Sequence, residues 1–368
     1  DDIGLKSKKP IDKDYAIRRM IAEPLYEVTQ MKGDGETNPQ LSPNDEFADF
    51  ETWDKGSFGA AKEKGMIKKE YAREAFKRGL QYEEKLGVNP FKFGLIGSTD
   101  SHTSIASSTE DNFFGKVAMV EPSTNKLRFD VQVTGYLPDP QGRDYSLYAR
   151  HISAGGLAAV WSRENSREAL YDSMVRKEVY ATTGTRIKVR VFSGWDFIEE
   201  DLNRFDFARY GYDHGVPMGG DLTGSKGKSP KFLVRALRDP DWANLDRIQM
   251  IKGWTDANGN AHEKVYDIAV SGNRKIDASG RTKERVGNTV NEKTANFDNS
   301  IGAPILSSFW QDPDFDANER AFYYVRVIEI PTPRWTTYDA KHFKVQRPKD
   351  VPVSTQERAY TSPIWYTP

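Results

Sequence analysis

The order of apolar and polar positions divides the chain into two parts. Residues 1–186 mix short apolar runs with a helical period, whereas residues 187–368 show alternating or apolar runs separated by clusters of Gly, Asn, Asp and Ser. The first order is typical of an α/β fold and the second, without a convincing helix, of an antiparallel β-sandwich. We therefore predict two domains with a boundary near residue 186. The strands predicted in the second part are 187–191, 232–237, 248–251, 265–270 and 322–330.

One strand–helix–strand unit is predicted in the first part. Apolar runs at 25–31 and 93–96 are predicted strands, and between them residues 62–86 repeat apolar positions every four residues. This order is typical of one crossover unit of a parallel sheet or barrel. The helix should end at Gly87 and place its Lys and Arg side chains in solvent. Its predicted apolar face consists of Ala72, Ala75, Phe76, Gly79, Leu80, Tyr82 and Leu86.

Further elements are predicted between residue 100 and the boundary. Residues 116–120 are a predicted strand, and the small apolar residues 154–161 predict a tightly packed strand or a buried turn. A helix follows, because Asn165 and Glu168 have the spacing of a capping box. We expect that helix to end near Lys177.

The loop after the second predicted strand carries the first candidate chemistry. Gly97 ends the apolar run, and small polar residues follow up to Thr103. In α/β folds, ligand sites lie at the carboxyl ends of parallel strands. Asp100 and His102 are two residues apart, so in an extended backbone both point the same way and converge on a divalent metal of the Zn, Mn or Fe type. A plain turn is the alternative, because Ser, Thr and Asp are common in loops.

The loop after the first predicted strand repeats this arrangement. Glu27 lies within the strand and, in a barrel, would point to the axis. Lys32, Asp34 and Glu36 fall at the end of the strand, where chemistry is expected. A polar turn with two glycines explains the same residues equally simply.

An acidic segment follows at residues 40–54 without a basic residue among its five carboxylates. Such a segment usually lies on a solvated surface. The alternative is the border of a site for a cation or a basic substrate. The carboxylates are Asp45, Glu46, Asp49, Glu51 and Asp54.

Composition narrows the classes of function. A length of 368 residues exceeds one compact core, and a net charge of -1 leaves no basic field for nucleic acid or an anionic membrane. No apolar run is long enough for a membrane span. The absence of Cys excludes disulfides, thiolate metal sites and a cysteine nucleophile. The start, Asp1 to Gly4, has neither a methionine nor a signal-peptide pattern, which is typical of a fragment or a processed chain.

Several segments resemble a known group of proteins. Gly97-Ser98-Thr99-Asp100-Ser101-His102-Thr103 is similar to the last metal motif of the PHP (polymerase and histidinol phosphatase) superfamily. Other segments, spread over nearly the whole chain, resemble one branch of it, the DUF3604 family of uncharacterised proteins. Those segments are 23–36, 42–47, 164–170, 180–186, 215–222, 312–316, 323–326, 331–335 and 362–366.

The resemblance implies a distorted (β/α)7 barrel with two or three divalent metal ions (Zn, Mn or Fe) at the carboxyl ends of its strands. It also implies hydrolytic, usually phosphoesterase, chemistry. The predicted fold class is then α/β plus β: the C-terminal part of a PHP-type barrel over 1–186 and a β-sandwich-like domain over 187–368.

The same resemblance assigns roles to individual residues. Asp100 and His102 become metal ligands, and Glu27 a further metal candidate. Lys32, Glu36 and Arg186 become the catalytic candidates, with Lys32 or Arg186 neutralising charge on the substrate. For Glu27 and Glu36, the roles of ligand, hydrogen-bond partner of a ligand and substrate contact stay open. For the two cations, a structural ion pair is the alternative.

The sequence also departs from the superfamily pattern. The opening His-x-His motif and the further His and Glu ligands of the superfamily are absent, and two ligands do not make a polynuclear site. We expect an N-terminal fragment or second chain with the early barrel strands to complete the barrel, because half a barrel has open edges. His151 and His214 are further candidates for a pocket, while His262 and His342 are predicted at the surface.

The predicted function is a metal-dependent hydrolase in which a metal-activated water attacks a small-molecule ester, with phosphoesters as the main expectation. Carboxylic, sulfate and carbamate esters are alternatives for the same chemistry. The alternative from another class is a non-catalytic glycan- or protein-binding module built on the β-sandwich and its aromatic residues. Nucleic acid is not an expected partner, and a homo-oligomer stays open. Family members resembling this chain look exported, which favours a periplasmic or secreted location.

Overall fold

The computed structural model describes residues 9–57, 59–63, 65–119, 121–225 and 227–368. Six α-helices lie within these ranges: α1 (Lys13–Ala22), α2 (Ala72–Leu86), α3 (Asn125–Asp130), α4 (Arg167–Val175), α5 (Phe207–His214) and α6 (Trp335–Phe343). Short 3-10 helices cover Ile67–Lys69, Glu110–Asn112, Ala149–His151 and Glu199–Asn203.

Strands make up most of the remaining regular structure. In chain order they are β1 (Leu25–Gln30), β2 (Gly33–Asp34), β3 (Gly94–Gly97), β4 (Leu157–Val160), β5 (Val179–Thr182), β6 (Lys188–Gly194), β7 (Val216–Pro217), β8 (Asp221–Leu222), β9 (Lys231–Leu237), β10 (Leu245–Thr255), β11 (Ala261–Val270), β12 (Ile305–Gln311), β13 (Ala321–Glu329), β14 (Thr332–Pro333), β15 (Ser354–Thr355), β16 (Arg358–Thr361) and β17 (Ile364–Tyr366). The five strands predicted beyond residue 186 correspond to β6, β9, β10, β11 and β13.

The largest sheet contains eight strands. Its main order is β11-β10-β13-β16-β5-β4, and β17 joins it through β13 and carries β8 at its edge. All of its pairs are antiparallel except β8 with β17. Because β4 and β5 precede residue 187, strands from both sides of the predicted boundary share this sheet. The division into two domains stays a prediction.

A second antiparallel sheet, of order β12-β9-β6-β7, packs on one face of the large sheet. Val191 and Val234 of the smaller sheet share a buried core with Met250 and Val325 of the larger one. This packing confirms that the second part of the chain is built from antiparallel sheets. Alternation of apolar and polar residues predicted it, since one face of each strand is buried.

The other face of the large sheet is covered as well. All nine residues of β13 are buried. Tyr323 and Val325 point into the core shared with the smaller sheet, whereas Phe322 and Tyr324 belong to a second core with Phe76 of α2. The Phe76 and Phe322 rings lie edge to face with centroids 5.3 Å apart. The large sheet is therefore the middle layer of three, which is why β13 is apolar on both faces.

The third layer contains the predicted crossover unit. β1 and β3 run parallel with Leu25 opposite Gly94, and α2 connects them, so the predicted strand–helix–strand order is confirmed. β2 pairs antiparallel with the end of β1. The described residues do not close this three-stranded sheet, or any other, into a barrel. No helix in the described ranges has the length and apolar character needed to cross a bilayer.

Two predicted helix starts are wrong. The helix predicted over 62–86 begins only at Ala72, because Tyr71 before it is extended, with φ -113 and ψ 141, and Gly65 has φ +87, outside the helical region. At its other end Gly87 adopts the predicted left-handed conformation, φ +73. The N-cap of α4 is Ser166 and not Asn165, since the Ser166 side chain accepts from the backbone N–H of Ala169.

Other local predictions also fail. Val117 forms an isolated bridge with His102, and the described part of 116–120 contains no strand; residue 120 lies outside the described residues. The helices α3, α5 and α6 occur where none was predicted. All three are short. Because α6 opens with a Trp and two Thr, residue types with modest helix propensity, burial of its first turn and not local preference stabilises it.

The acidic segment is not a solvated loop. Asp45 lies between two arginines of the packed layers, 2.8 Å from Arg73 Nη2 and 2.6 Å from Arg326 Nη2. Glu36 completes the group, pairing with Arg73 and, at 2.9 Å, with Arg326 Nη1. We call these four residues the arginine clasp. Their side chains are at most 2% exposed, and each charge faces an opposite one, as burial requires.

The predicted solvent face of α2 is wrong for the same reason. Arg73 belongs to the clasp, and Lys77 is buried with its Nζ 2.9 Å from Glu263 of β11. Further along the acidic segment, Glu51 pairs with the buried Arg334 at 2.9 Å. Ion pairs therefore dock this loop onto the large sheet and its flanking helix.

Candidate functional site

The parallel strands β1 and β3 bring their following loops together. Backbone bonds join the two loops, from Ser98 N to Thr29 O at 3.0 Å and from Met31 N to Thr99 O at 3.4 Å. As a result, Lys32 Nζ lies 2.9 Å from Asp100 Oδ2. The two loops lie at the same edge of the sheet because their strands are parallel neighbours.

A second lysine also holds Asp100. Lys116 Nζ donates to Asp100 Oδ2 and to the backbone carbonyl of Asp100, both at 2.7 Å. Partial burial raises the pKa of the Asp100 carboxyl, but the hydrogen bonds from Lys116 and Lys32 outweigh it and hold that pKa below its ordinary value. Burial lowers the pKa of the Lys116 ammonium, and the Asp100 carboxylate opposes that change.

His102 lies beside this carboxylate with a 57% exposed side chain. Its Nδ1 is 2.8 Å from the backbone carbonyl of Asp100 and 3.9 Å from Asp100 Oδ1. In the neutral ring, a proton on Nδ1 donates to that carbonyl and leaves the Nε2 lone pair for a further partner. This is the tautomer in which many metal-binding histidines are held.

We predicted that an extended backbone brings His102 close to Asp100, and this prediction is wrong. Asp100 has φ +52, the left-handed region, so the segment turns at this residue. The turn is held from outside, because His102 N donates to Lys116 O at 2.7 Å. Asp100 and His102 are therefore close together because of this turn, and their role as metal ligands stays a prediction.

Glu27 completes what we call the Asp100 corner: Glu27, Lys32, Asp100, His102 and Lys116. Its exposed carboxylate accepts a hydrogen bond from Ser98 Oγ, on the loop that leads to Asp100. The charge of Glu27 also acts on Lys116, whose pKa it raises in opposition to burial. The corner therefore holds two lysines, two carboxylates and a histidine at the carboxyl ends of two parallel strands.

Of the metal candidates, His102 fits a metal ion best. At Asp100, a cation would compete with two ammonium groups for the same oxygen. Among the residues with described positions, no three His, Asp or Glu side chains stand close enough to hold an ion together. Asp100 and His102 therefore supply at most part of a ligand set.

Two catalytic candidates lie away from the corner. Glu36 belongs to the buried arginine clasp, where Tyr324 also donates to it. Arg186 is 67% exposed and pairs with Asp239 and Asp241, each at 3.2 Å. Lys32 alone of the three lies beside Asp100.

Three of the other four histidines have polar partners of their own. His151 Nε2 lies 3.2 Å from Asp350, and His214 Nδ1 lies 3.1 Å from the carbonyl of Tyr210. His262 pairs with Asp256 at 2.8 Å. These contacts leave His102 as the histidine of the corner.

Sequence reasoning missed Lys116 as a member of the corner. It was assigned to a strand, whereas the structure turns its side chain back onto Asp100, 16 residues earlier. The available signal was weak, because a single lysine that follows a glycine, Gly115, does not indicate a partner. The contact depends on the three-dimensional path of residues 103–115.

A cavity of about 260 Å³ adjoins the corner. Lys32, His102 and Lys116 form part of its wall, and the remainder is largely apolar. The apolar side chains come from several separate segments, and they include Phe113, Val117, Val131, Val133, Ile152 and Trp335. Charged groups and an apolar surface therefore border the same space.

The fold and this corner define a mixed α/β protein with several antiparallel sheets and a cluster of ionisable groups at a parallel strand edge. The chain belongs to DUF3604, a protein family of unknown function, whose pattern it matches over residues 3–368. No curated protein and no solved structure matches it. The family assignment confirms that part of the predicted resemblance, and membership of the PHP superfamily stays a prediction.

Proposed function

We propose that this chain forms one side of the active site of a metal-dependent hydrolase, and that the Asp100 corner is that side. The observation that carries the proposal is the meeting of Lys32, Asp100 and His102 after the carboxyl ends of β1 and β3, with Glu27 of β1 bonded to Ser98 of the same loop as Asp100. Parallel strand ends are where α/β enzymes place their chemistry. A distorted barrel of the PHP type is the corresponding proposal for the complete fold.

The corner residues would divide the work between metal and substrate. His102 through Nε2, with a carboxylate of Asp100 or of Glu27, would supply part of the ligand set of a zinc, manganese or iron ion, and the remaining ligands would come from outside the described residues. The complete site would hold two or three such ions. Such an ion supplies Lewis acidity and lowers the pKa of a bound water. When Asp100 binds the ion, the ammonium groups of Lys32 and Lys116 become available to the anionic oxygens of an ester.

We propose that further ligands come from an N-terminal fragment or a second chain. Support comes from the edge of β1 that faces away from β3: in the described ranges it pairs only at Thr29 and Gln30, with β2. The part from Leu25 to Glu27 can therefore accept another strand there. Glu27, a corner residue on this strand, would then lie next to the added element.

Phosphoesters remain the first substrate class, because two lysines suit a dianionic group. Carboxylic, sulfate and carbamate esters are the alternatives. The non-catalytic binding module has less support, because none of the eight tryptophans is exposed and several pack against the sandwich core. A periplasmic or secreted location is part of the proposal and rests on the family resemblance alone.

Metal content of the native particle tests the proposal. We expect bound zinc, manganese or iron by elemental analysis, and loss of that metal and of ester hydrolysis in His102→Ala. The matched control is His262→Ala, which removes another exposed histidine, paired with Asp256. This variant should retain both the metal and ester hydrolysis. Equal metal content and equal turnover in His102→Ala and wild type would contradict the proposal.

A further inference from the structure

The cavity beside the Asp100 corner has a largely apolar wall. Its volume of about 260 Å³ exceeds the roughly 150 Å³ of an apolar cavity that binds benzene in another protein. Met119 and Tyr136 at its border are 92% and 61% exposed. Large apolar side chains grouped around an opening are typical of a binding site.

The hydrogen-bond donors of the aromatic side chains in the wall already have partners. Trp335 Nε1 donates to the carbonyl of Ile152 at 2.7 Å, and Trp53 Nε1 to the carbonyl of Gly56 at 3.1 Å. The hydroxyl of Tyr136 donates to the carbonyl of Gln132. A polar ligand would therefore find no unused donor on these aromatic side chains, whereas an apolar group loses nothing there.

The one arginine of the wall is also fully engaged. Arg128 donates to the carbonyls of Phe113 and Phe114, both at 2.8 Å, and pairs with Glu121 at 3.0 Å. Its guanidinium lies 5.4 Å from the Trp335 ring centroid. Glu121 neutralises the charge of Arg128, so this arginine packs against the aromatic wall and is not available to a ligand.

Charge enters this cavity from the corner. Lys32, Lys116 and His102 belong to its wall, and both ammonium groups contact the carboxylate of Asp100. A ligand that fills the cavity therefore has an apolar body and, at the corner, an anionic end.

We propose that the cavity binds the apolar part of the substrate, and that the substrate class is an anionic ester with a compact aromatic or similarly apolar group. The anionic end, a phosphate in the first instance, meets Lys32 and Lys116. The binding part of this proposal stands on the cavity alone, and the statement that the ligand is hydrolysed rests on the proposed function.

Ligand binding to the native particle tests this assignment. The probes are 2-naphthyl phosphate and glycerol phosphate, which carry the same charged group on an apolar and a polar body. Binding is followed by isothermal titration and by the fluorescence of Trp53 and Trp335, without any need for turnover. We expect 2-naphthyl phosphate to bind at least tenfold more tightly.

Two variants test whether the cavity causes the preference for 2-naphthyl phosphate. Val133→Phe fills the cavity and should remove the tenfold preference while leaving glycerol phosphate binding within twofold. The matched control, Val175→Phe, places the same change at the exposed end of α4 and should keep the preference. Far-ultraviolet circular dichroism and urea unfolding establish that both variants are folded.

Two outcomes would overturn the assignment. One is equal affinity of the wild type for both probes, and the other is a preference that survives in Val133→Phe. Turnover is scored separately. Tight binding of 2-naphthyl phosphate without hydrolysis would sustain the cavity and remove the proposed function. Hydrolysis of both esters at equal kcat/KM, without a binding preference, would support the proposed function and overturn the assignment of the cavity.

Discussion

Two charged clusters contain residues of the loop that follows β1, and they differ in burial. The arginine clasp is buried, and its two carboxylates face two guanidinium groups. At the Asp100 corner, two lysines contact the Asp100 carboxylate next to an exposed histidine and a cavity. Charged residues of one loop thus lead to opposite outcomes. The charges of a buried cluster are out of reach of a ligand, whereas those of an accessible cluster can respond to one.

The largest expected effect is at the clasp. Arg326→Met leaves Glu36 and Asp45 buried next to a single guanidinium, that of Arg73, so we expect a loss of about 3–5 kcal/mol in the free energy of unfolding. Urea denaturation at pH 7 measures it. Arg209→Met, at a position 85% exposed, is the control and should change stability by less than about 0.5 kcal/mol. A loss below about 1 kcal/mol at Arg326 would mean that the clasp is not a structural element.

A second prediction uses Asp34, which lies between the corner and the clasp. Burial, followed by repulsion from Glu36, raises the pKa of Asp34 to about 7. Between pH 4 and 7 the folded protein therefore holds a proton that the unfolded chain has released, so stability falls as pH rises through this window. Asp34→Asn keeps the acceptor for Glu36 N and removes the titration.

We expect Asp34→Asn to be more stable than wild type at pH 8 by an amount on the order of 2–4 kcal/mol, and to differ little at pH 4. Urea unfolding at both pH values measures the difference. Asp213→Asn, on the exposed end of α5, should show no such pH dependence. A constant difference between Asp34→Asn and wild type across the window would contradict the assigned titration.

The parts of this molecule that follow from periodicity could be predicted from sequence. Phe76 and Leu80 repeat at helical spacing and lie in the core, and β13 was evident as a long apolar run. The proximity of Lys32 and Asp100 followed from the parallel pairing of their strands. These features depend on local pattern and on one general rule of sheet geometry.

The clasp could not be predicted in this way. Arg73 looked like one of many basic residues on a solvent face, and Asp45 like part of a solvated loop. Their burial depends on which layer covers α2, and that is decided by strands 250 residues away in the chain. The one available signal was Arg326 within an apolar strand, because a charge in such a position needs a partner.

The smallest effect on stability, and the sharpest test of the comparison, is at Lys116. Lys116→Met should raise the pKa of Asp100 towards its ordinary value, because one of the two donors that lower it is gone. Asp100 contributes stability above its unfolded pKa, and this contribution is lost as the pH falls through its lower folded pKa. Because the corner is partly exposed and screened, we expect the variant to lose less than about 1 kcal/mol at pH 7 and almost nothing at pH 3.

Titration of the Asp100 carboxyl carbon by nuclear magnetic resonance measures the pKa, and urea unfolding at low and high salt measures the stability. Lys188→Met, at the exposed start of β6, should leave both unchanged. An unchanged Asp100 pKa in Lys116→Met would show that Lys32 alone sets it. A loss as large as that of Arg326→Met would place the corner in the same structural class as the clasp, and with it the main reason to assign a ligand to the corner would disappear.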